Sequence, residues 1–282
     1  MKNRLITLID FSIYSHALAE LAVRWGRIAS AQLVFVHEVP GLVPSMADTS
    51  SKDEIVKNEK EEALEKLRRF TSTETYEIDV RFVVTGSHLL TTINELLSEG
   101  FNDTILVGIK GTGMLKQMLI GNTASMVIDE INRTVVAVPD KLCAVPNEFC
   151  NLVPKRLVVS LNYKFPLNEE ALNDFLNQYN NAIQEIEFIS SVDNDEKEDK
   201  AKDYLNKLSD KYSMNLKSSY RVFIGKKHFE QIKNYVQSSP NTVLIVQKGS
   251  RNLTDLLFRK FLINEVIHDG SLPMVVLPTV LN

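Results

Sequence analysis

Cysteine is scarce in this chain of 282 residues, which contains only Cys143 and Cys150. Two thiols cannot form the disulfide framework of a small secreted domain, and free thiols in a linker are the plainer interpretation. The five histidines stand singly and far apart, so they supply no spaced set of metal ligands. We therefore expect a cytoplasmic protein without a metal site.

Long hydrophobic runs and an excess of positive charge are also missing. No apolar stretch approaches the roughly 18 residues of a membrane span, and the run Leu5–Ile9 after the basic N-terminus is too short for a signal peptide. The formal net charge of −4 gives no attraction to nucleic acid or anionic lipid. With 11 glycines and 9 prolines, the composition excludes collagen-like and Gly/Pro-rich disordered chains.

The chain does contain an internal repeat. Residues 4–11 (RLITLIDF) match residues 156–163 (RLVVSLNY), and residues 104–111 (TILVGIKG) match residues 242–249 (TVLIVQKG). Each half closes on an apolar strand and a proline. A long-range repeat of this kind predicts two copies of one domain. We expect domains at 1–140 and 156–282, joined by a linker at 141–155.

Within each copy, short apolar runs alternate with helical patterns. The first copy predicts strands at 5–9, 32–36, 78–84, 104–107 and 134–138, with helices near 52–70, 88–99 and 123–131 and a first helix that Ser12 would cap. The second copy predicts strands near 157–161, 184–189, 219–224, 243–247 and 274–277. This alternation is typical of an α/β protein with doubly wound parallel sheets.

Ligands of doubly wound sheets bind where the strands end, so the residues after the fourth strand are of interest. Gly108 and Gly111 allow a ligand to approach the backbone, and Gly121-Asn122-Thr123 begins a helix whose free N–H groups favour an anion. Neither a Walker loop nor a dinucleotide fingerprint fits this segment. Glycines that merely form turns remain the alternative.

The spacing Gly108-x2-Gly111-x9-Gly121-Asn122-Thr123 resembles the nucleotide motif of the universal stress protein family, and Leu8-Ile9-Asp10-Phe11-Ser12 resembles that family's first strand end. The resemblance covers the whole chain as two tandem domains. It implies two five-stranded, Rossmann-like sheets of the adenine nucleotide α-hydrolase type, related by a pseudo-twofold axis. It also implies pairing through the last strands, within the chain or in a homodimer.

The resemblance further implies ATP, with or without Mg²⁺, as the ligand of the first domain only. Asp10 would lie at the adenine, with Ile9 where the family often has proline, and Glu38 would follow the strand whose backbone touches the base. The remaining residues implied at the ribose and the phosphates are Val107, Gly108, Gly111, Gly121, Asn122 and Thr123. Asn122 departs from the family's usual Ser or Thr, although its amide still offers donors.

The second copy departs further from the motif. Asn162 replaces Asp10, Val246 replaces Gly108, and Arg259 or Lys260 stands where Gly121 would be, while Gly249 is kept. A long cation there would either fill the phosphate space or bind an anion from a partner. The plainer interpretation is a copy that has lost its ligand.

No strong general base or nucleophile accompanies the motif, so efficient catalysis is not expected. The leading hypothesis is a nucleotide-responsive stress-response protein with an unknown protein partner. The alternatives are a scaffold of the same fold that binds no nucleotide, and slow hydrolysis of ATP.

Overall fold

The computed structural model describes residues 1–39, 49–71, 78–109, 122–139, 153–194, 197–225, 228–238, 241–248 and 273–280. The chain forms two compact units, Met1–Gly108 and Ile109–Asn282. The domain boundaries suggested by the sequence repeat, with a linker at 141–155, stay a prediction.

The first unit is a parallel sheet with helical connections. Its strands are Asn3–Leu8 (β1), Gln32–Glu38 (β2), Val80–Thr85 (β3) and Asn102–Ile109 (β4). Its helices are Ser15–Ile28 (α1), Thr49–Thr71 (α2) and Leu89–Leu97 (α3). The strands lie in the order β3-β2-β1-β4, and all three pairings are parallel. The predicted α/β class is confirmed.

The core of this unit lies between the sheet and the apolar faces of its helices. β1 and β2 are buried over most of their length because neighbouring strands and helices cover both faces. On α1, the apolar face is buried and includes Trp25, whose side chain has no exposed surface. Gly26 on the same helix packs so closely that a Cβ there would lie 2.4 Å from Leu33 Cδ2.

A buried charged pair joins the first and last strands of this unit. The Nε atom of Arg4 donates to Asp103 Oδ1 at 2.6 Å, and both side chains are fully buried. The guanidinium also donates to Glu99 at 2.6 Å and to the carbonyl of Leu96. Burial by itself would lower the pKa of Arg4, but the hydrogen bonds and charges of Asp103 and Glu99 raise it. This network satisfies the donors of a charge that would otherwise be costly to bury.

α2 has a charged surface. Ion pairs one turn apart join Arg69 to Glu65 at 3.1 Å and Lys57 to Glu61 at 4.0 Å. Leu67 is buried on the opposite side. Within the described ranges, no helix is both long enough and apolar enough to span a membrane.

The second unit contains the remaining elements. Its strands are Thr134–Pro139 (β5), Arg156–Leu161 (β6), Glu185–Val192 (β7), Lys217–Ile224 (β8), Thr242–Gln247 (β9) and Met274–Leu277 (β10). Its helices are Asn122–Glu130 (α4), Glu169–Gln178 (α5), Glu198–Tyr212 (α6) and His228–Gln237 (α7). The strands lie in the order β5-β10-β9-β6-β7-β8.

The internal repeat is visible in the strand order. The series β8-β7-β6-β9 repeats the series β3-β2-β1-β4, and every pairing in both is parallel. β10 continues the parallel sheet beside β9, whereas β5 pairs with β10 in the antiparallel direction, with Val136 opposite Val275. The two closing strands of the repeats therefore pair with each other, as the family resemblance implied.

Candidate functional site

The strand order of the first unit reverses between β1 and β4, and these two strands separate towards their carboxyl ends. β1 pairs with β4 from Asn3 opposite Asn102 to Thr7 opposite Leu106. Beyond that point the chain continues along β2, because the N–H of Ile9 donates to the carbonyl of Val36 at 2.9 Å. Diverging connections at a reversal of strand order create the crevice in which open α/β sheets bind ligands.

Gly108 lies on the β4 side of this reversal, where packing against the described residues does not require a glycine. It is exposed between Val107 and Ile109, whose exposed fractions are 2% and 1%. Among the described residues, a Cβ at Gly108 would contact Leu18 Cδ2 alone, at an ordinary 3.5 Å. The φ angle of Gly108 is not in the positive region. The described part of the chain therefore leaves room for a side chain here, in contrast to the tightly packed Gly26.

Asp10 on the β1 side organises the turn into α1. Its Oδ1 atom accepts hydrogen bonds from the N–H of Ser12 at 2.9 Å and from the hydroxyl of Ser15 at 2.8 Å. Phe11, between them, has a φ of +56°, which is uncommon for a bulky residue. The carboxylate thus stabilises a sharp turn at the end of β1.

The predicted capping role of Ser12 is wrong. α1 begins at Ser15, and Tyr14 occupies the N-cap position without a side-chain hydrogen bond to the helix. The N–H of Ser15 donates to the backbone carbonyl of Ser12 at 3.0 Å, and the hydroxyl of Ser12 lies 3.4 Å from the hydroxyl of Ser15. Ser12 therefore belongs to the turn that precedes α1.

His37 and Ile9 connect the ends of β1 and β2, and sequence reasoning did not assign this role. Nδ1 of His37 lies 2.7 Å from the carbonyl oxygen of Ile9. Because a carbonyl can only accept, this contact requires the proton on Nδ1. The centroid of the Phe11 ring lies 4.3 Å from that of the His37 ring. The Nζ atom of Lys66 lies over the Phe11 ring, 4.3 Å from its centroid. A histidine directly after an apolar strand was the available signal.

The sequence predicts Glu38 just after the second strand, whereas in the structure it is the last residue of β2 and its side chain contacts α3. Its Oε1 atom accepts a hydrogen bond from the N–H of Leu89 at 3.2 Å, at the start of α3. His88 occupies the N-cap of that helix and makes no side-chain capping bond. Glu38 therefore caps α3 from another strand. Only its backbone lies where the family resemblance would put an adenine contact.

The other predicted residues fall in the second unit or outside the described residues. Asn122 and Thr123 begin α4, and Thr123 is exposed. Gly111 and Gly121 lie outside the described residues, as do Arg259 and Lys260. The predicted helix after Gly121 is present as α4. The first N–H groups of a helix have no hydrogen-bond partner within the helix itself.

In the second repeat, protein side chains occupy the corresponding strand ends. Val246, which matches Gly108, is 7% exposed. The side chain of Gln247 accepts from the N–H of Asn168 at 2.6 Å and donates to the carbonyl of Pro166 at 2.9 Å. Asn168 in turn donates to the carbonyl of Pro278 at 3.3 Å. These contacts fix the chain at the ends of β6 and β9.

Comparison with known proteins bears on family and fold. Residues 1–139 match the model of the universal stress protein family. No curated protein matches the chain. A universal stress protein from Archaeoglobus fulgidus DSM 4304 has a similar structure, with a TM-score of 0.67, 14% identity and 98% coverage of each chain. A functionally unknown protein from Pseudomonas aeruginosa PAO1 gives a TM-score of 0.56 and 13% identity, covering 99% of this chain and 93% of the other.

At these identities the structural likeness establishes the fold over nearly the full length of the chain, and the family follows from the match to residues 1–139. Through those residues, this chain belongs to the universal stress protein family.

Proposed function

We propose that the first half of this chain binds an adenine nucleotide, ATP in particular, and that the bound state changes what the protein associates with. The observation that carries the proposal is the exposed Gly108 at the reversal of strand order. Neither packing against the described residues nor a positive φ angle requires a glycine there. A ligand that approaches the backbone at this point would explain why a glycine is present.

The base and ribose would lie against the ends of β1, β2 and β4. The carboxylate of Asp10 is held in place by Ser12 and Ser15, so little side-chain freedom is lost when a ligand binds. With its Nδ1 proton directed to Ile9, His37 presents Nε2 as an acceptor for an exocyclic amine. Adenine has such an amine, whereas guanine has a carbonyl at the same ring position.

The phosphates would bind at the start of α4, an assignment that comes from the sequence pattern. A helix N-terminus favours an anion through its free N–H groups and its dipole. Thr123 is exposed at this end and adds a hydroxyl donor. A Mg²⁺ ion, if it accompanies ATP, would be bound mainly by the phosphates.

The second repeat would bind no nucleotide. Val246 occupies the position of Gly108, and the hydrogen bonds of Gln247 and Asn168 fill the adjacent strand ends. A nucleotide would have to displace these bonds, and each buried polar group left unpaired would cost about 1–3 kcal/mol. We therefore propose one nucleotide per chain.

We place this function in the cytoplasm because the chain has only two cysteines, which is too few for the disulfide framework of a secreted domain.

Equilibrium binding of ATP, ADP and adenosine to two variants tests the proposal. Asp10→Ala alters the base end, so adenosine and ATP should lose affinity equally. Gly121→Val alters the phosphate end, so the affinity for ATP and ADP should fall at least about tenfold, or about 1.4 kcal/mol. The affinity for adenosine should fall less. No ATP binding by the unaltered protein would favour a scaffold. Turnover of bound ATP would favour slow hydrolysis.

A further inference from the structure

The sequence of α4 places charge unfavourably for a helix that binds phosphate. The helix has nine residues, Asn122–Glu130, and its last turn contains Asp129 and Glu130 without any basic residue. Negative side chains at a helix C-terminus oppose the helix dipole. A helix this short is also marginal unless other contacts stabilise it. α4 therefore depends on interactions supplied by the rest of the protein.

Lys248 supplies a cation to the C-terminal end of α4. Its Nζ atom donates to the carbonyl oxygen of Asp129, one of the carbonyls that a helix end leaves unpaired. The backbone of Lys248 is itself fixed, because its N–H donates to the carbonyl of Leu277 at 2.9 Å. Lys248 follows β9 of the second repeat, whereas α4 belongs to the first repeat by sequence.

A second contact fixes the chain just after α4. The hydroxyl of Thr279 donates to Asn132 Oδ1 at 3.2 Å. Thr279 is also held from the other side, because Asn168 donates to its carbonyl at 3.1 Å. The segment after β10 therefore contacts both the exit of α4 and the residue that caps α5.

We propose that Lys248 is a positioning residue for phosphate binding at the opposite end of α4, an inference that rests on the proposed function. A cation at the C-terminus and a phosphate at the N-terminus stabilise the same helix. Each reduces the ordering cost that the other must overcome, so the two interactions reinforce each other without direct contact. The second repeat, although it binds no nucleotide, would thus raise the affinity of the first.

Direct attraction between Lys248 and the phosphates would contribute little. Nine helical residues span about 13 Å, which exceeds the Debye length of about 8 Å at physiological ionic strength. The effect of Lys248 should therefore arise from the order of α4, and hydrogen exchange can measure that order.

The test compares Lys248→Met, which removes the charge, with Lys248→Arg, which keeps it. Lys207→Met serves as the control, since Lys207 lies on α6 and is exposed. Without nucleotide, the backbone amides of residues 126–131 should exchange about two- to fivefold faster in Lys248→Met than in the unaltered protein. The arginine variant and the control should exchange at the unaltered rate.

Nucleotide affinity is the second measurement on the same proteins. Lys248→Met should bind ATP about two- to fivefold more weakly and adenosine equally well, and Lys248→Arg should restore ATP binding. If the unaltered protein binds ATP and Lys248→Met binds it equally well, the role of Lys248 is wrong while the proposed function stands. Equal losses for adenosine and ATP, or unchanged exchange in α4, would also overturn it. If the unaltered protein does not bind ATP, the proposed function fails, and this role fails with it.

Discussion

Asp10 and Asn162 accept the same backbone hydrogen bond in the two repeats. The side-chain oxygen of Asp10 accepts from the N–H of Ser12 at 2.9 Å, and that of Asn162 accepts from the N–H of Lys164 at 3.1 Å. This hydrogen bond therefore needs an acceptor and does not need a charge. This separates the structural role of Asp10 from the role in nucleotide binding that we propose for its carboxylate.

Replacement of Asp10 tests this separation. Asp10→Asn keeps the acceptor, so its free energy of unfolding should lie within about 0.5 kcal/mol of the unaltered value, whereas Asp10→Ala should lose about 1 kcal/mol. Urea unfolding measures both. Equal destabilisation by the two substitutions would mean that the charge itself stabilises the turn.

Two glycines of the first unit should respond differently to alanine. Gly108→Ala adds a Cβ in ordinary contact with Leu18, so it should leave the stability unchanged or raise it by up to about 1 kcal/mol. Gly26→Ala places a Cβ 2.4 Å from the buried Leu33 and should cost about 1–3 kcal/mol. Thermal unfolding of the two variants measures these changes in stability. A large loss of stability in Gly108→Ala would show that the fold requires this glycine.

Glu38 should contribute to the stability of α3. Glu38→Ala removes the acceptor for the N–H of Leu89 and should cost about 1 kcal/mol, whereas Glu38→Gln keeps an acceptor and should cost less. Hydrogen exchange of the first amides of α3 should increase more in Glu38→Ala than in Glu38→Gln. Identical exchange in both would rule out the capping role.

The buried pair of Arg4 and Asp103 should be costly to break from one side. Asp103→Ala leaves a guanidinium without its buried partner, and such losses amount to about 3–5 kcal/mol. Replacing both residues, as Arg4→Met with Asp103→Leu, should cost less than the two single losses together. A double-mutant cycle by urea unfolding measures the coupling, and additive losses would contradict it.

The fold was largely predictable because its strands are buried on both faces. Such strands consist of continuous apolar runs, so the predicted strand Thr134–Val138 differs from the observed Thr134–Pro139 by one residue. The repeated run at 156–163 likewise predicted β6.

Contacts between distant side chains could not be predicted. Glu38 caps a helix that begins 51 residues later, and no local pattern connects it with Leu89. The contact of His37 with Ile9 depends on the register of β1 and β2 in the same way. The capping prediction for Ser12 was wrong because α1 begins only at Ser15, whose N–H donates to the backbone carbonyl of Ser12 and not to its hydroxyl.

The exposure of Gly108 could not be derived from the sequence either. Glycines are common in turns, and only the structure shows that neither a positive φ angle nor close packing against the described residues accounts for Gly108. Whether Gly108 is a structural glycine or faces a ligand depends on where β1 and β4 stop pairing. That point is a property of the sheet and not of the local sequence.

Calorimetric titration of ATP into the unaltered protein and into Gly108→Val is the most direct test of whether a nucleotide binds against Gly108. The variant introduces the residue that the second repeat has at Val246, and Val246→Gly is the reciprocal control. The account predicts one ATP per chain, at least about tenfold weaker binding by a folded Gly108→Val protein, and unchanged stoichiometry in the control. Two ATP molecules per chain, or unchanged affinity in Gly108→Val, would contradict it.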